Sequence, residues 1–270
     1  MTVMPTILEQ IVSTKGLELD IRKKQEPLVE LQSQARDLPI PLNFSGALMG
    51  GGVSLIAEAK KASPSKGMLR ENYDPVMLAK DYVENGASAV SVITEKDHFQ
   101  GSLTHLKKVK EAVGARGIPV LRKDFLFDTY QVYEAKVYGA DAILLIAAIL
   151  EKRQLKELLQ LSQALWIQVL TEVHNQQELE MAIECGAEII GINNRDLHTF
   201  DTNISLTERL AIGVPKGKIL VSESGIQSHD DLIRLEKAGV HAVLVGEAIL
   251  TSEDPGAKTR ELLYGNLAGT

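Results

Sequence analysis

A single cysteine, Cys185, stands among 270 residues, so no internal disulfide can form and the chain suits a reducing compartment. Basic charge is also short. The 29 Lys and Arg residues are outnumbered by 36 Asp and Glu, for a formal charge of -7, and no basic tail or cluster could track a phosphate backbone. Nucleic acid is therefore not an expected partner. Long apolar runs are missing as well. Residues 38–57 are uncharged but broken by Pro39, Pro41, Asn43, Gly46 and Gly50-Gly51-Gly52, and the continuous apolar stretch 142–150 is only nine residues long. Neither can cross a bilayer, which takes about 20 residues, so no membrane association is expected. The N-terminus shows no basic segment leading into an apolar one, so no export signal is read and a cytoplasmic location is expected.

The motifs of metal and cofactor chemistry are absent too. The six histidines show neither H-E-x-x-H spacing nor a cysteine partner, no G-x-G-x-x-G follows the first strand, and neither a Walker A pattern nor a catalytic triad can be read. No metal and no cofactor are expected.

What is present is ordinary for a soluble globular protein, with 44% apolar and 24% charged residues. The length suits one α/β barrel, which takes about 250 residues. A fragment recurs at Gly86-Ala87-Ser88-Ala89-Val90, Gly139-Ala140-Asp141-Ala142-Ile143, Gly186-Ala187-Glu188-Ile189-Ile190 and Gly239-Val240-His241-Ala242-Val243, at spacings of 53, 47 and 53. Each copy begins with a glycine able to take the left-handed conformation that ends a helix, then runs directly into a strand buried on both faces.

With the apolar runs between the copies, the strand candidates become 54–60, 87–94, 119–124, 142–148, 166–170, 189–193, 219–224 and 242–246. Helical periodicity fills the intervals, as in Val76, Leu78, Ala79 and Val83 after Asp74-Pro75, and in Leu155, Leu158, Leu159 and Leu161. Eight alternating units predict an α/β fold, a single (β/α)8 TIM barrel over residues 54–270. Residues 1–53 read as an N-terminal helical extension, begun by Ile7, Leu8, Ile11 and Val12 and followed by a proline-rich stretch, that packs on the barrel within one domain.

Reactive residues of such barrels lie at the C-terminal ends of the strands. Here those ends carry Glu58 and Lys60, Lys123, Glu172, Asn193 and Glu223. Alternation puts Glu58 and Lys60 on one face, where an inward pair is costly unless it is matched or used. Strand seven leads into Ser224-Gly225 and strand eight into Gly246-Glu247, the two positions where barrels commonly hold phosphate. Ala62-Ser63-Pro64-Ser65-Lys66-Gly67 reads as a basic, hydroxyl-rich lid over an anionic ligand. These features alone also fit a Schiff-base aldolase built on Lys123 or Lys60, or a non-catalytic phosphosugar-binding barrel.

The run Ile56-Ala57-Glu58-Ala59-Lys60-Lys61-Ala62-Ser63-Pro64-Ser65-Lys66-Gly67 resembles the signature of the indole-3-glycerol-phosphate synthase family. Val92-Ile93-Thr94-Glu95, Leu121-Arg122-Lys123-Asp124-Phe125, Leu144-Leu145-Ile146, Glu172-Val173-His174, Gly191-Ile192-Asn193-Asn194-Arg195-Asp196-Leu197 and Val221-Ser222-Glu223-Ser224-Gly225-Ile226 follow in the family's order. Ala59 departs from the isoleucine usual there, and Gly50-Gly51-Gly52 is unusual, but neither removes a chemical group. The chain ends soon after Gly246, so a fused isomerase barrel is not expected and a single activity is.

The resemblance implies decarboxylating ring closure of 1-(2-carboxyphenylamino)-1-deoxyribulose 5-phosphate, a small phosphorylated substrate, in tryptophan biosynthesis. It also implies roles: Lys123 and Lys60 as acids and Glu172 as base, with Glu58, Asn193 and Glu223 orienting substrate hydroxyls and the lysines. By the same resemblance Ser63, Phe99, Phe125, Leu144, Arg195 and Leu197 bind substrate, Arg195 near its anionic groups. Ser224, Gly225, Gly246 and Glu247 then hold the phosphate, Glu247 through its backbone amide.

Overall fold

Eight parallel strands close into a barrel: β1 (Ser54–Ala59), β2 (Ala89–Ile93), β3 (Val120–Lys123), β4 (Ala142–Ile146), β5 (Gln168–Val173), β6 (Ile189–Asn193), β7 (Ile219–Glu223) and β8 (Ala242–Val245). Neighbours in sequence are neighbours in space, and β8 pairs with β1 to complete the ring. The computed structural model describes residues 6–64, 66–70, 72–196 and 199–265. Three helices precede β1: α1 (Ile7–Gln25), α2 (Leu28–Arg36) and α3 (Phe44–Leu48). The return helices are α4 (Pro75–Glu84), α5 (Leu103–Val113), α6 (Thr129–Val137), α7 (Lys152–Ala164), α8 (Gln176–Cys185), α9 (Ser205–Ala211), α10 (His229–Lys237), α11 (Glu247–Leu250) and α12 (Pro255–Tyr264). No helix among the described residues is long and apolar enough to cross a membrane.

Local chemistry explains the alternation. Asp74 accepts from the amides of Val76 and Met77, with Pro75 in the first turn of α4, while Asp128 and Ser228 form capping boxes with Gln131 and Asp231 at α6 and α10. The repeat glycines 86, 139, 186 and 239 all have positive φ, from 83° to 102°. Each reverses the chain from a helix into a buried strand, as its sequence context predicts.

The fifth strand departs from expectation. Residues 166–170 are predicted, but the strand runs from Gln168 to Val173 and takes in Thr171 and Glu172. Trp166 is 65% exposed at φ 61°, completing the turn out of α7. An apolar ring at the head of an apolar run reads as strand in one dimension, yet here it sits in the reversal. The fourth strand likewise stops at Ile146, and residues 147–149 form a 3-10 turn.

The N-terminal segment holds the barrel at both ends. Phe44 and Leu48 of α3 are fully buried with the inward residues Ile56, Leu121, Leu144, Leu170 and Val221, so α3 closes the N-terminal floor. The Leu42 amide donates to Asp141, and the Ser45 amide to Gln168, at the starts of β4 and β5. By contrast α1 runs to the opposite end, where Ile7, Leu8 and Ile11 line the barrel mouth.

Between α1 and β3 lies a buried ion network. The wholly buried Arg122 reaches Asp124 at 3.3 Å and Glu134 at 2.9 Å; Lys15 of α1 lies 3.0 Å from Asp124, and Arg22 lies 2.5 Å from Glu134. Burial pushes the Asp124 carboxyl up, but Lys15 and Arg122 outweigh it and hold the group below its ordinary value. Removing one member of such a network strands the others in a dry interior. Asp124→Ala should therefore cost about 3–5 kcal/mol in urea unfolding near neutral pH. Because the folded-state value is depressed, the contribution is complete above 3.8 and fades as pH falls through the lowered value, so the gap to wild type should close there. A loss under about 1 kcal/mol, the scale of an exposed pair, would contradict this reading.

Candidate active site

Strand alternation sorts the barrel interior into layers. Ile56, Leu121, Leu170, Ile189 and Val221 fill the lower part, and the next inward positions on four of these strands are Glu58, Lys123, Glu172 and Glu223, while on β6 Gly191 stands between Ile189 and Asn193. The interior thus changes from hydrocarbon to charge within one step of two residues on those four strands. Glycines make the room. A Cβ on Gly191 would stand 2.2 Å from a Glu223 carboxyl oxygen, and one on Gly246 would stand 2.5 Å from Glu58 Oε1.

Lys123 stands at the centre. Its Nζ is 3.4 Å from Glu58 Oε2 and 3.9 Å from Glu223 Oε2, while Lys60 Nζ lies 2.7 Å from the other oxygen of Glu58. Burial raises the Glu58 carboxyl, but the two ammonium groups dominate and hold it at about 2. Burial pulls the Lys123 ammonium down, and Glu58, Glu172 and Glu223 together more than reverse this, so it stays charged.

Glu172 stands near enough to Glu223 for its charge to bear directly on it. Burial and the negative Glu172 push the Glu223 carboxyl well above its ordinary value, against the pull of Lys123. Burial also raises Glu172, but His174 and Lys123 overcome it and keep that group low. Of the two, Glu223 is the carboxyl that holds a proton more readily and Glu172 the one that gives it up. Neither Glu223 oxygen has a hydrogen-bond partner among the described residues, which penalises the anion more than the neutral acid.

The loops complete the cavity. Glu95 accepts the backbone amides of Asp97, His98 and Phe99, and Gly101 packs so tightly that a Cβ would meet the Ile93 carbonyl at 2.4 Å. This fixes Phe99 against Phe125, with ring centroids 6.2 Å apart. Arg195 reaches Glu247 at 3.1 Å, and Lys66, on the loop after β1, reaches the other oxygen of Glu247. That loop carries a short antiparallel ribbon pairing Ala62–Ser63 with Gly67–Met68. The Ser63 hydroxyl is buried there with no hydrogen-bond partner among the described residues.

One cavity is lined by Glu58, Lys60, Ser63, Phe99, Lys123, Phe125, Leu144, Glu172, Asn193, Arg195, Glu223, Ser224, Gly225, Gly246 and Glu247. Of the site residues expected from sequence, Leu197 lies outside the described residues. The family model for indole-3-glycerol phosphate synthase matches residues 8–262, nearly the whole chain. The chain belongs to the indole-3-glycerol phosphate synthase family. Relatives of that name include one from Dehalococcoides mccartyi (strain ATCC BAA-2266 / KCTC 15142 / 195), 54% identical over 95% of this chain and 100% of that protein. Another, from Roseiflexus sp. (strain RS-1), is 46% identical over 97% of this chain and 100% of its own length. Among solved structures, 3-hexulose-6-phosphate synthase from Salmonella typhimurium superposes with a TM-score of 0.63 at 15% identity, covering 78% of this chain and 96% of that one. At that identity the likeness shows the barrel fold alone.

Several contributors to this synthase-family site are not evident from strand ends. Ile7, Leu8 and Ile11 line the mouth although they precede the barrel by some forty residues, and only the overall packing brings them there. Glu247 meets Arg195 and Lys66 through its side chain, beyond the backbone role expected of it. His174 follows Glu172 at the strand-like spacing of two, a signal the sequence did contain. Among the described residues no three His, Cys, Asp or Glu side chains are grouped to hold a metal ion.

The raised value of Glu223 has a consequence for stability. Between 4.5 and that raised value the folded chain holds a proton that the unfolded chain has lost, so stability falls as pH rises through this window. Glu223→Gln keeps the shape of the neutral acid and removes the titration. Its thermal midpoint should match wild type near pH 4.5 and exceed it by a margin that grows as pH rises through this window. A midpoint below wild type above pH 4.5 would show that the folded protein does not raise the Glu223 carboxyl.

Proposed function

We propose that the chain catalyses decarboxylating, dehydrating ring closure of 1-(2-carboxyphenylamino)-1-deoxyribulose 5-phosphate to indole-3-glycerol phosphate, in tryptophan biosynthesis. The observation that carries this reading is the Lys123 ammonium set among three carboxyl groups, beside an aromatic and aliphatic wall. The wall of Phe99, Phe125 and Leu144 takes the anthranilate ring. Strands β7 and β8 stand across the barrel from β3 and β4, so their loops at Ser224, Gly225, Gly246 and Glu247 take the phosphate at the far end. Successive left-handed residues at Ser224 and Gly225, φ 66° and 78°, let the backbone turn sharply there.

The chemistry needs two acids and one base. As the ring carbon bearing the carboxylate attacks the ketone carbon, Lys123 gives a proton to the ketone oxygen, and the negative groups around it ensure that the proton is present. Carbon dioxide then leaves and aromaticity returns. Lys60 protonates the resulting hydroxyl, which departs as water, and Glu172 accepts the proton released as the new double bond forms. Glu58 holds both lysines, Asn193 and Glu223 hold Glu172, and Arg195 and the unpartnered Ser63 hydroxyl meet the polar parts of the substrate. A Schiff-base role for Lys123 is disfavoured, because attack requires a neutral amine. We take a cytoplasmic location to go with this activity.

Incubation with the carboxyphenylamino substrate should release product with indole absorbance and fluorescence; folded protein giving none would overturn the reading. Lys123→Ala and Glu172→Gln should each keep the fold while lowering kcat roughly 10²-fold or more, the scale of a lost acid or base. Near-normal kcat in either would remove that residue from the mechanism. Inorganic phosphate should compete with substrate, raising the apparent KM without changing kcat; lack of competition would argue against a phosphate site at the β7 and β8 loops.

A further inference from the structure

His174 takes no part in the steps above and does not line the cavity, yet it is wedged between two carboxyl groups. Its Nε2 lies 3.2 Å from Glu172 Oε1, and its Nδ1 lies 3.1 Å from Glu178 Oε2. That same Glu178 oxygen accepts the His174 backbone amide at 2.8 Å, and the other accepts the Asn175 side-chain amide at 2.6 Å. Glu178 is itself fixed in the first turn of α8, where its amide donates to Asn175 Oδ1. The ring is nearly buried and meets a carboxylate at each nitrogen. An ionised carboxylate offers only acceptors, so a charged ring suits both neighbours; Nδ1 is hydrogen-bonded to Glu178, whereas Nε2 meets Glu172 at ion-pair distance without an aligned hydrogen bond.

We propose that His174 is a positioning residue for Glu172, an imidazolium strung between Glu178 and Glu172 that orients the Glu172 carboxylate toward the barrel mouth and balances its charge. This rests on the reading of Glu172 as the base. The groups facing Glu172 are Lys123 from β3, Asn193 from β6, Glu223 from β7 and His174 from its own strand; those facing His174 are Glu172 and Glu178. Burial lowers the imidazole, but the two carboxylates reverse this and hold it protonated up to about 10. Beside Glu172 stands Glu223, whose carboxyl is raised well above its ordinary value by burial and by Glu172. The imidazolium is what tells the two carboxyls apart, since Lys123 is close to Glu223 as well. Without it the proton affinity of Glu172 rises, and the base is lost at a higher pH than in the wild type.

The test uses the whole enzyme with the carboxyphenylamino substrate. His174→Asn should move the acid limb of the kcat profile up by about one pH unit or more, as loss of one adjacent opposite charge does, and so lower kcat by about tenfold or more at pH values on that limb. Its KM should stay close to wild type, because the ring does not reach the cavity. Glu178→Gln should shift the limb the same way by less. In a Glu172→Gln background, His174→Asn should have no further effect on kcat, as expected of a residue acting through Glu172. An unmoved acid limb, or an undiminished effect in that background, overturns the proposal. Nitrogen-15 shifts of His174 in the wild-type protein at pH 7 should report a doubly protonated ring, and a neutral ring overturns the proposal whether or not the variants fold. Normal turnover by Glu172→Gln would instead overturn the base assignment, while leaving the ring's charge to be read directly.

Discussion

A cation buried inside a ring of strands needs negative partners, and three of the eight strands supply them to Lys123. Glu58, Glu172 and Glu223 each stand at the last inward position of their strand, so the balancing charges are carried on the rigid part of the fold. Three full negative charges would overcompensate one cation. The balance comes from Lys60 on Glu58, from His174 on Glu172, and from the raised proton affinity of Glu223. Each of these carboxyls therefore has its ionisation set by neighbours, some on other strands and some two residues along its own.

The same strand β3 serves two separate networks. Lys123 points inward to the carboxyls of the mouth, while Arg122 and Asp124 on either side point outward to Lys15, Glu134 and, through Glu134, Arg22. The outer network ties α1 to the strand that carries Lys123, and the apolar residues at the start of α1 form part of the cavity wall. The helical segment before the barrel is thus built into the site at one end and into the floor at the other, where Phe44 and Leu48 complete the interior packing. Small residues matter as much as charged ones here, because the carboxyls of Glu58 and Glu223 occupy space that any side chain at positions 246 and 191 would take.

Much of this was legible in one dimension. The glycine-led repeat marks helix ends that do adopt positive φ, and the eight apolar runs do become eight strands. The strand ends displayed the ionisable groups, and alternation by two placed Glu58, Lys123, Glu172 and Glu223 inside. Trp166 misled because its apolar character says nothing about the reversal it occupies, so the fifth strand begins and ends later than expected. The reach of α1 to the mouth was hidden because its contacts span more than a hundred residues of chain.

The sequence by itself determined the alternating units, the facing of each side chain and the chemical groups available. Those properties follow from periods of two and 3.6 residues and from capping chemistry, all set by near neighbours. Only the tertiary structure decided which carboxyl holds a proton more readily, which histidine is charged and which helix walls the cavity. Those outcomes depend on Coulomb interactions and desolvation among groups that closure of the barrel brings within a few ångströms, and no local pattern in the chain encodes such distances.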